Sequence, residues 1–303
     1  MTDDRRLGHV TVLVGEAGGR YPDGNSLLVT GGEETAIIDP SLTVIGRRGR
    51  LPDVDRVLVG HVHEDHVVGD DLFPAAVWHV HELDRPALGS LDVLMARYGL
   101  EDYPAVEASF REVVAQRFHY QPRPGALALR HGDVLDLGGG VRVTVIHAPG
   151  HTPGHCVLHV EPDDVLYLGD IDLSSFGPYY GDATSSLEDF ERTIDLVRGM
   201  SARWYVTFHH VGVLDGRHAF IERLDRFAAV IASRERRLLE YLREPRTMAD
   251  IVAHRFVYRP QDDVAWADAA ERRSMIQHLE RLVRAGGVTE VDAGTFVAPP
   301  SPR

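Results

Sequence analysis

The segment His61-Val62-His63-Glu64-Asp65-His66 packs three imidazoles and a carboxylate into six residues. Imidazole nitrogen and carboxylate oxygen are donors that zinc and its first-row neighbours take. So dense a run of titratable groups has little structural use, and the segment reads as a metal-binding one. Four further features repeat one pattern, an apolar stretch ending in a potential ligand. Ala148-Pro149-Gly150-His151-Thr152-Pro153-Gly154-His155 follows an alternating run, and its two glycines and two prolines fix an unusual backbone path with His151 at the tip. Gly169-Asp170 closes DVLYLG, and His209-His210 closes WYVTF. Asp39 closes TAIID, where it is a candidate acceptor for orienting a ligand histidine. His155 reads instead as a hydrogen-bonded loop residue, and Cys156 as the buried start of a strand.

Periodicity supplies the elements that must position these groups. Residues 8–14 and 26–38 read as strands around a Gly31-Gly32 turn, and residues 54–60 as an apolar strand running into the first motif. AVWHV at 76–80 is a further strand; strands return over 126–146, and 156–169 forms a hairpin around Pro162-Asp163-Asp164. Between them, residues 83–120 have helical spacing, with Leu91, Leu94, Met95 and Tyr98 followed by Val106, Phe110, Val114 and Phe118. That insertion either carries its own small core or forms a lid over the site. A helix is expected at 186–199 before the strand WYVTF. From Arg217 the chain turns helical, with Thr247-Met248-Ala249-Asp250 as a capping box in which Asp replaces the usual Glu. A helix over 267–285 then precedes a hairpin around Ala293-Gly294.

The net charge of −14 is unevenly placed. Residues 232–303 hold 12 Arg against 11 acids, a net of +1, so residues 1–231 carry −15. Such a surface is a poor partner for a phosphate backbone and disfavours nucleic acid as the substrate. The chain has no lysine, so every base is Arg. One cysteine excludes an intramolecular disulfide, no apolar run follows the charged N-terminus, and no stretch approaches a membrane span. The expectation is a cytoplasmic protein with no membrane partner.

HVHEDH, GHTPGH, the Gly169-Asp170 pair and the terminal histidine together resemble the metallo-β-lactamase superfamily, over about residues 8–215. The resemblance implies an α/β fold, an αββα sandwich with a dinuclear metal site between its two β-halves. It implies that His61, His63 and His151 bind one metal, that Asp65, His66 and His210 bind the second, and that Asp170 bridges them. His210 follows from aligning Phe208-His209-His210-Val211-Gly212-Val213 onto the family's Pro-Gly-His-Gly-Pro-Val; an offset of one selects His209. Two Zn2+ ions are expected, with Fe or Mn as alternatives. Ions about 3.5–4 Å apart lower the pKa of water to ~7 and hold a bridging hydroxide that attacks a carbonyl or phosphoryl centre. Asp65 is the expected catalytic residue, orienting that hydroxide or shuttling its proton; Glu64 is expected to point away from the metals.

The implied domains are a catalytic one at 1–215 and, at 216–303, a helical linker with a winged-helix-like module. That tail resembles the β-lactamase-like-2 branch, some of whose members are endoribonucleases. A bridging Asp170 is unlike true β-lactamases and like glyoxalase-II-type thioesterases, lactonases and phosphodiesterases. The reading is therefore a dinuclear hydrolase of a small ester, thioester or lactone. Alternatives are an endoribonuclease or phosphodiesterase using the same site, or a metal-binding regulatory protein with weak activity. The segment Phe176-Gly177-Pro178-Tyr179-Tyr180-Gly181 is expected to border the mouth, where Tyr179 or Tyr180 either hydrogen-bonds a substrate carbonyl or packs the loop. The tail is also a candidate homodimer contact.

Overall fold

Apolar strands with both faces covered need two partners each, and the chain supplies them by stacking two sheets. The computed structural model describes residues 4–68 and 72–299; the first three and last four residues of the expected domains lie outside that range. The first sheet runs in chain order: β1 (Arg5–Leu7), β2 (Val10–Leu13), β3 (Ser26–Thr30), β4 (Thr35–Ile38), β5 (Arg56–Val59), β6 (Val77–His81) and β7 (Leu127–Leu129). The second has β8 (Val134–Asp136), β9 (Arg142–His147), β10 (Cys156–Glu161), β11 (Val165–Tyr167), β12 (Trp204–Val206) and β13 (Val213–Asp215), in the order β13-β12-β11-β10-β9-β8. β4 and β5 pair in parallel, Ile37 opposite Val57 and Ile38 opposite Leu58. Alternation then divides them between two cores. Ile38 and Leu58 meet Val143, Val145, Leu158 and Tyr167 of the second sheet, whereas Ile37 and Val57 face outward.

Helices cover both outer faces. On the first sheet lie α1 (Leu42–Ile45), α2 (Arg85–Gly89), α3 (Leu91–Tyr98) and α4 (Pro104–Gln116), through Val44, Leu88, Leu94, Phe110 and Val114. On the second lie α5 (Leu187–Gly199) and α6 (Arg217–Tyr241), through Phe190, Ile194, Phe220 and Phe227. Helix, sheet, sheet, helix is the α/β layering anticipated from the sequence. The segments after β4, β5, β9, β11 and β12 carry the chemistry-bearing residues, and each motif begins where a strand stops.

The tail has a separate small core around Leu238, Ile251, Phe256, Met275 and Leu279. It contains the end of α6, β14 (Arg246–Thr247), α7 (Met248–His254), α8 (Ala267–Arg284), β15 (Thr289–Asp292) and β16 (Thr295–Val297), with the strands in the order β14-β16-β15. The capping box is formed: Thr247 caps Asp250 and Asp250 returns the bond. β13 and β14 were not anticipated; strands of three and two residues leave too little alternation to detect. Polar contacts seat α8 against the sandwich layers. Gln277 accepts from Leu187 N at 2.6 Å and donates to Tyr180 O at 2.9 Å, and Arg281 pairs with Glu191.

Candidate metal centre

Six residues from three loops and a one-turn helix converge with Asp170 on one buried spot. His63 Nδ1 lies 3.1 Å from His61 Nε2 and 3.0 Å from His151 Nε2, and Asp170 Oδ2 lies 3.1 Å from that same His151 nitrogen. On the other side, Asp170 Oδ1 lies 3.0 Å from His66 Nε2, and Asp65 Oδ2 lies 3.0 Å from His209 Nε2. Potential ligand atoms gather into one group from His61, His63, His151 and Asp170 and another from Asp65, His66 and His209, with Asp39 grouped behind His61 and His66 as the orienting carboxylate. Asp170 turns one oxygen toward each.

The histidines are oriented from outside. His66 Nδ1 bonds Asp39 Oδ2 at 2.9 Å, as anticipated for Asp39, which also accepts from Tyr167 and Gly60 N. His63 Nε2 bonds Asp182 Oδ2 at 2.7 Å. His151 Nδ1 meets Tyr179 O at 3.1 Å, and His209 Nδ1 meets Gly19 O at 2.8 Å. An outer nitrogen committed to a carbonyl or carboxylate leaves the inner one as a lone-pair donor. His155, by contrast, bonds Ala148 O and accepts from Asp170 N, so it steadies the loop, and Cys156 is buried.

The site fits divalent cations. Asp65 Oδ2, His66 Nε2 and Asp170 Oδ1 are buried without any hydrogen bond, which apolar surroundings make costly unless an ion takes the lone pairs. Burial opposes charge on His66, yet Asp170, Asp65 and Asp39 together raise its pKa well above the ordinary value. Burial also works against ionised Asp170, but the imidazoles of His66, His209 and His151 hold it well below the usual carboxylate range. The floor of the site therefore calls for positive charge. Burial, reinforced by His66, holds His61 neutral, the ligating form.

Two expectations need correction. His210 is not in either ligand group; the structure places His209 there. His210 takes a left-handed backbone (φ 59°), which turns its ring outward, 35% exposed against 9% for His209. A pattern written around one histidine cannot choose between two adjacent ones; the backbone turn does. Tyr180 does not face the mouth. Its hydroxyl is buried between His278 Nε2 at 2.8 Å and Arg234 at 3.1 Å. Tyr180→Phe is expected to cost about 1–3 kcal/mol of stability by leaving those groups short of a partner; an unchanged melting curve would contradict that. Tyr179 does face the site, and donates to Asp182 Oδ1 at 3.0 Å. Through Asp182 it steadies His63, so Tyr179→Phe should lower turnover about tenfold with metal content intact. Full turnover would exclude Tyr179 from the mechanism.

Asp84 is a residue that the motifs did not reveal. Its carboxylate is fully buried and accepts from Val62 N (3.0 Å), Thr152 Oγ1 (2.7 Å), Gly154 N (2.9 Å) and Arg97. It thus fastens the first motif to the GHTPGH loop. Glycine at 154 is required, because a Cβ there would lie 2.7 Å from Asp84 N. The available signal was position: Asp84 follows a strand end, as the ligands do. Asp84→Ala strands a buried guanidinium and should cost about 3–5 kcal/mol, read as a lower urea midpoint. A wild-type midpoint would show that the two loops hold without it. Glu64 is directed away from both ligand groups and accepts from Tyr21 and Tyr98. Burial, with Asp65 beside it, raises its pKa.

Above the ligands lies a cavity of about 270 Å³. Its wall combines Tyr98, Leu100 and Phe110 of the insertion with Tyr258, Val264 and Trp266 of the tail. Phe110 and Trp266 meet at 4.9 Å between centroids. Rather than forming a core of its own, the insertion shares one with the first sheet, and Tyr98, Leu100 and Phe110 of it wall the pocket.

A four-layered α/β sandwich with paired His/Asp groups at its strand ends is the architecture of a metallo-hydrolase fold, and the sequence agrees. Residues 20–210 match the metallo-beta-lactamase superfamily, to which this chain belongs. Among its relatives is acyl-coenzyme A thioesterase MBLAC2. The Homo sapiens protein is 30% identical over 208 residues, 59% of this chain and 72% of that one. The Bos taurus protein is 34% identical over 149 residues, 46% of this chain and only 50% of that one, so the match spans half of its length. Hydroxyacylglutathione hydrolase GloC of Haemophilus influenzae is 27% identical over 154 residues, 48% of this chain and 65% of that one. A metallo-beta-lactamase family protein from Thermus thermophilus shares the fold over 96% of this chain and 99% of its own, with TM-score 0.71 at 22% identity.

Proposed function

We propose that this chain is a metal-dependent hydrolase of small acyl thioesters. The observation that carries the reading is Asp170, whose two oxygens address two separate groups of ligand atoms. His61, His63, His151 and Asp170 would hold one ion, and Asp65, His66, His209 and Asp170 the other; zinc, iron and manganese all suit such donors. Bound divalent ions supply Lewis acidity and lower the pKa of water to about 7. The chain's own residues do the rest. Asp65, whose Oδ2 faces the site 3.0 Å from His209 Nε2, is the acceptor for a proton released by an attacking water. Asp182 and Asp39 keep His63 and His66 in register. Phe110, Leu100, Trp266 and Val264 receive the acyl group and keep bulk water from it.

The names of the relatives point to thioesters rather than lactones. The acidic surface argues against RNA, although helix, strand, helix, helix and hairpin in the tail support reading it as winged-helix-like. The test is metal analysis of purified protein, then thioesters, lactones, phosphodiesters and single-stranded RNA assayed on the same sample. About two ions per chain and chelator-sensitive thioesterase activity are expected. RNA cleavage without thioesterase activity would replace this reading with the endoribonuclease one.

A further inference from the structure

Beside the metal pocket lies a second, larger cleft of about 980 Å³. The two share a wall: Tyr21 lines both, its hydroxyl on Glu64 at 2.9 Å and its ring 6.1 Å from Trp266. Arg20, Arg47, Arg50 and Arg117 line the cleft, against the carboxylates of Asp4, Glu16 and Asp23. Four arginines in one cleft stand out in a chain of net charge −14. Two of the carboxylates are already engaged. Asp4 pairs with Arg47, and Asp23 accepts from Glu16 N, Gly24 N and both the amide and hydroxyl of Thr43. Arg20 and Arg117 are exposed and make no ion pair among the described residues. Both stand on the side of the metal pocket. Arg20 lies between Gly19, whose carbonyl holds His209, and Tyr21, which lines both cavities, and Arg117 precedes Phe118, whose ring is 6.2 Å from that of Tyr21.

The two cavities match the two halves of one substrate. The small one, apolar-walled, ends at the ligands and suits an acyl group. The large one falls at the upper end of the roughly 300–1,000 Å³ of small-molecule sites and offers guanidinium donors, whose fork matches phosphate. We infer that the arginine-lined cleft binds the phosphate-bearing handle of a coenzyme A thioester, Arg20 and Arg117 contacting phosphate, while Tyr21 marks the passage from handle to acyl group. This assignment rests on the thioesterase reading for its substrate, but on the cleft alone for its phosphate chemistry.

The test uses the full chain and the double variant Arg20→Ala/Arg117→Ala, both substitutions at exposed positions. Adenosine 3′,5′-diphosphate, the probe for the handle, is titrated calorimetrically. Saturable binding weakened about tenfold or more in the variant is expected, the loss of a charge-assisted contact. In parallel, kcat/KM is measured for an acyl-CoA and for the same acyl group on neutral N-acetylcysteamine. The ratio of the two should fall at least about tenfold in the variant, through KM. No binding at low salt, equal binding by both proteins, or an unchanged ratio would overturn the cleft assignment. Binding of the probe without hydrolysis of either thioester would leave the cleft standing and sink the hydrolase reading. Displacement of the probe by single-stranded RNA far more readily than by coenzyme A would also overturn it, in favour of a nucleic-acid site.

Discussion

Asp170→Asn is expected to leave the protein folded, with fewer than two ions per chain and turnover reduced by more than about a hundredfold. Substitution of groups that merely orient ligands typically costs about 10–100-fold, and a residue facing both ligand groups should cost more. The substitution preserves shape but removes one anionic oxygen. Asp170 Oδ1 and Oδ2 each lie near 3 Å from an imidazole nitrogen, His66 on one side and His151 on the other, so each oxygen faces a different group. An amide nitrogen in either place carries no lone pair for a cation. Metal content and kcat/KM, measured on protein whose circular dichroism is unchanged, decide the matter. Two ions retained with near-normal turnover would mean that Asp170 bridges nothing.

The second large effect separates two adjacent histidines. His209→Ala should lower metal content by about one ion per chain and turnover by more than about a hundredfold, whereas His210→Ala should stay close to wild type in both. Gly19 O engages His209 Nδ1, which points Nε2 at Asp65, while His210 leaves the cluster on a left-handed turn toward Asp172, 3.7 Å away. The reverse outcome, with His210→Ala losing the ion, would restore the assignment drawn from motif alignment.

Much of this was legible in the residues. The strand ends were readable because β4, β5, β9 and β12 are apolar or alternating runs that stop abruptly at His, Asp or Gly, and Asp39 was placed on that ground alone. The helices of the insertion and tail followed from their apolar spacing. What escaped was of two kinds. Asp84 and Asp182 act through hydrogen bonds to groups 22 to 119 positions away, and sequence separation carries no trace of such pairing. Tyr180 and His210 sit one residue from the side chains that face the site, and only the path of the backbone decides which neighbour does so. The tail's share of the pocket was also hidden, because Val264 and Trp266 lie in a segment without periodicity.

Arg234 lies almost wholly buried on α6 and grips the loop at 176–181 through backbone, donating to Phe176 O at 2.7 Å and Pro178 O at 2.6 Å. The same loop holds His151 through another carbonyl, that of Tyr179. Carbonyls are common to every residue type, so the grip at Phe176 and Pro178 is on backbone, whereas Tyr180 is held through its own hydroxyl. The grip on α6 at 176 and 178 therefore survives a change of side chain there, and the histidine behind the loop stays in place. Variation at the mouth of the pocket is best sought at Phe176, which lines it, with Tyr180 left in place as the loop's side-chain anchor.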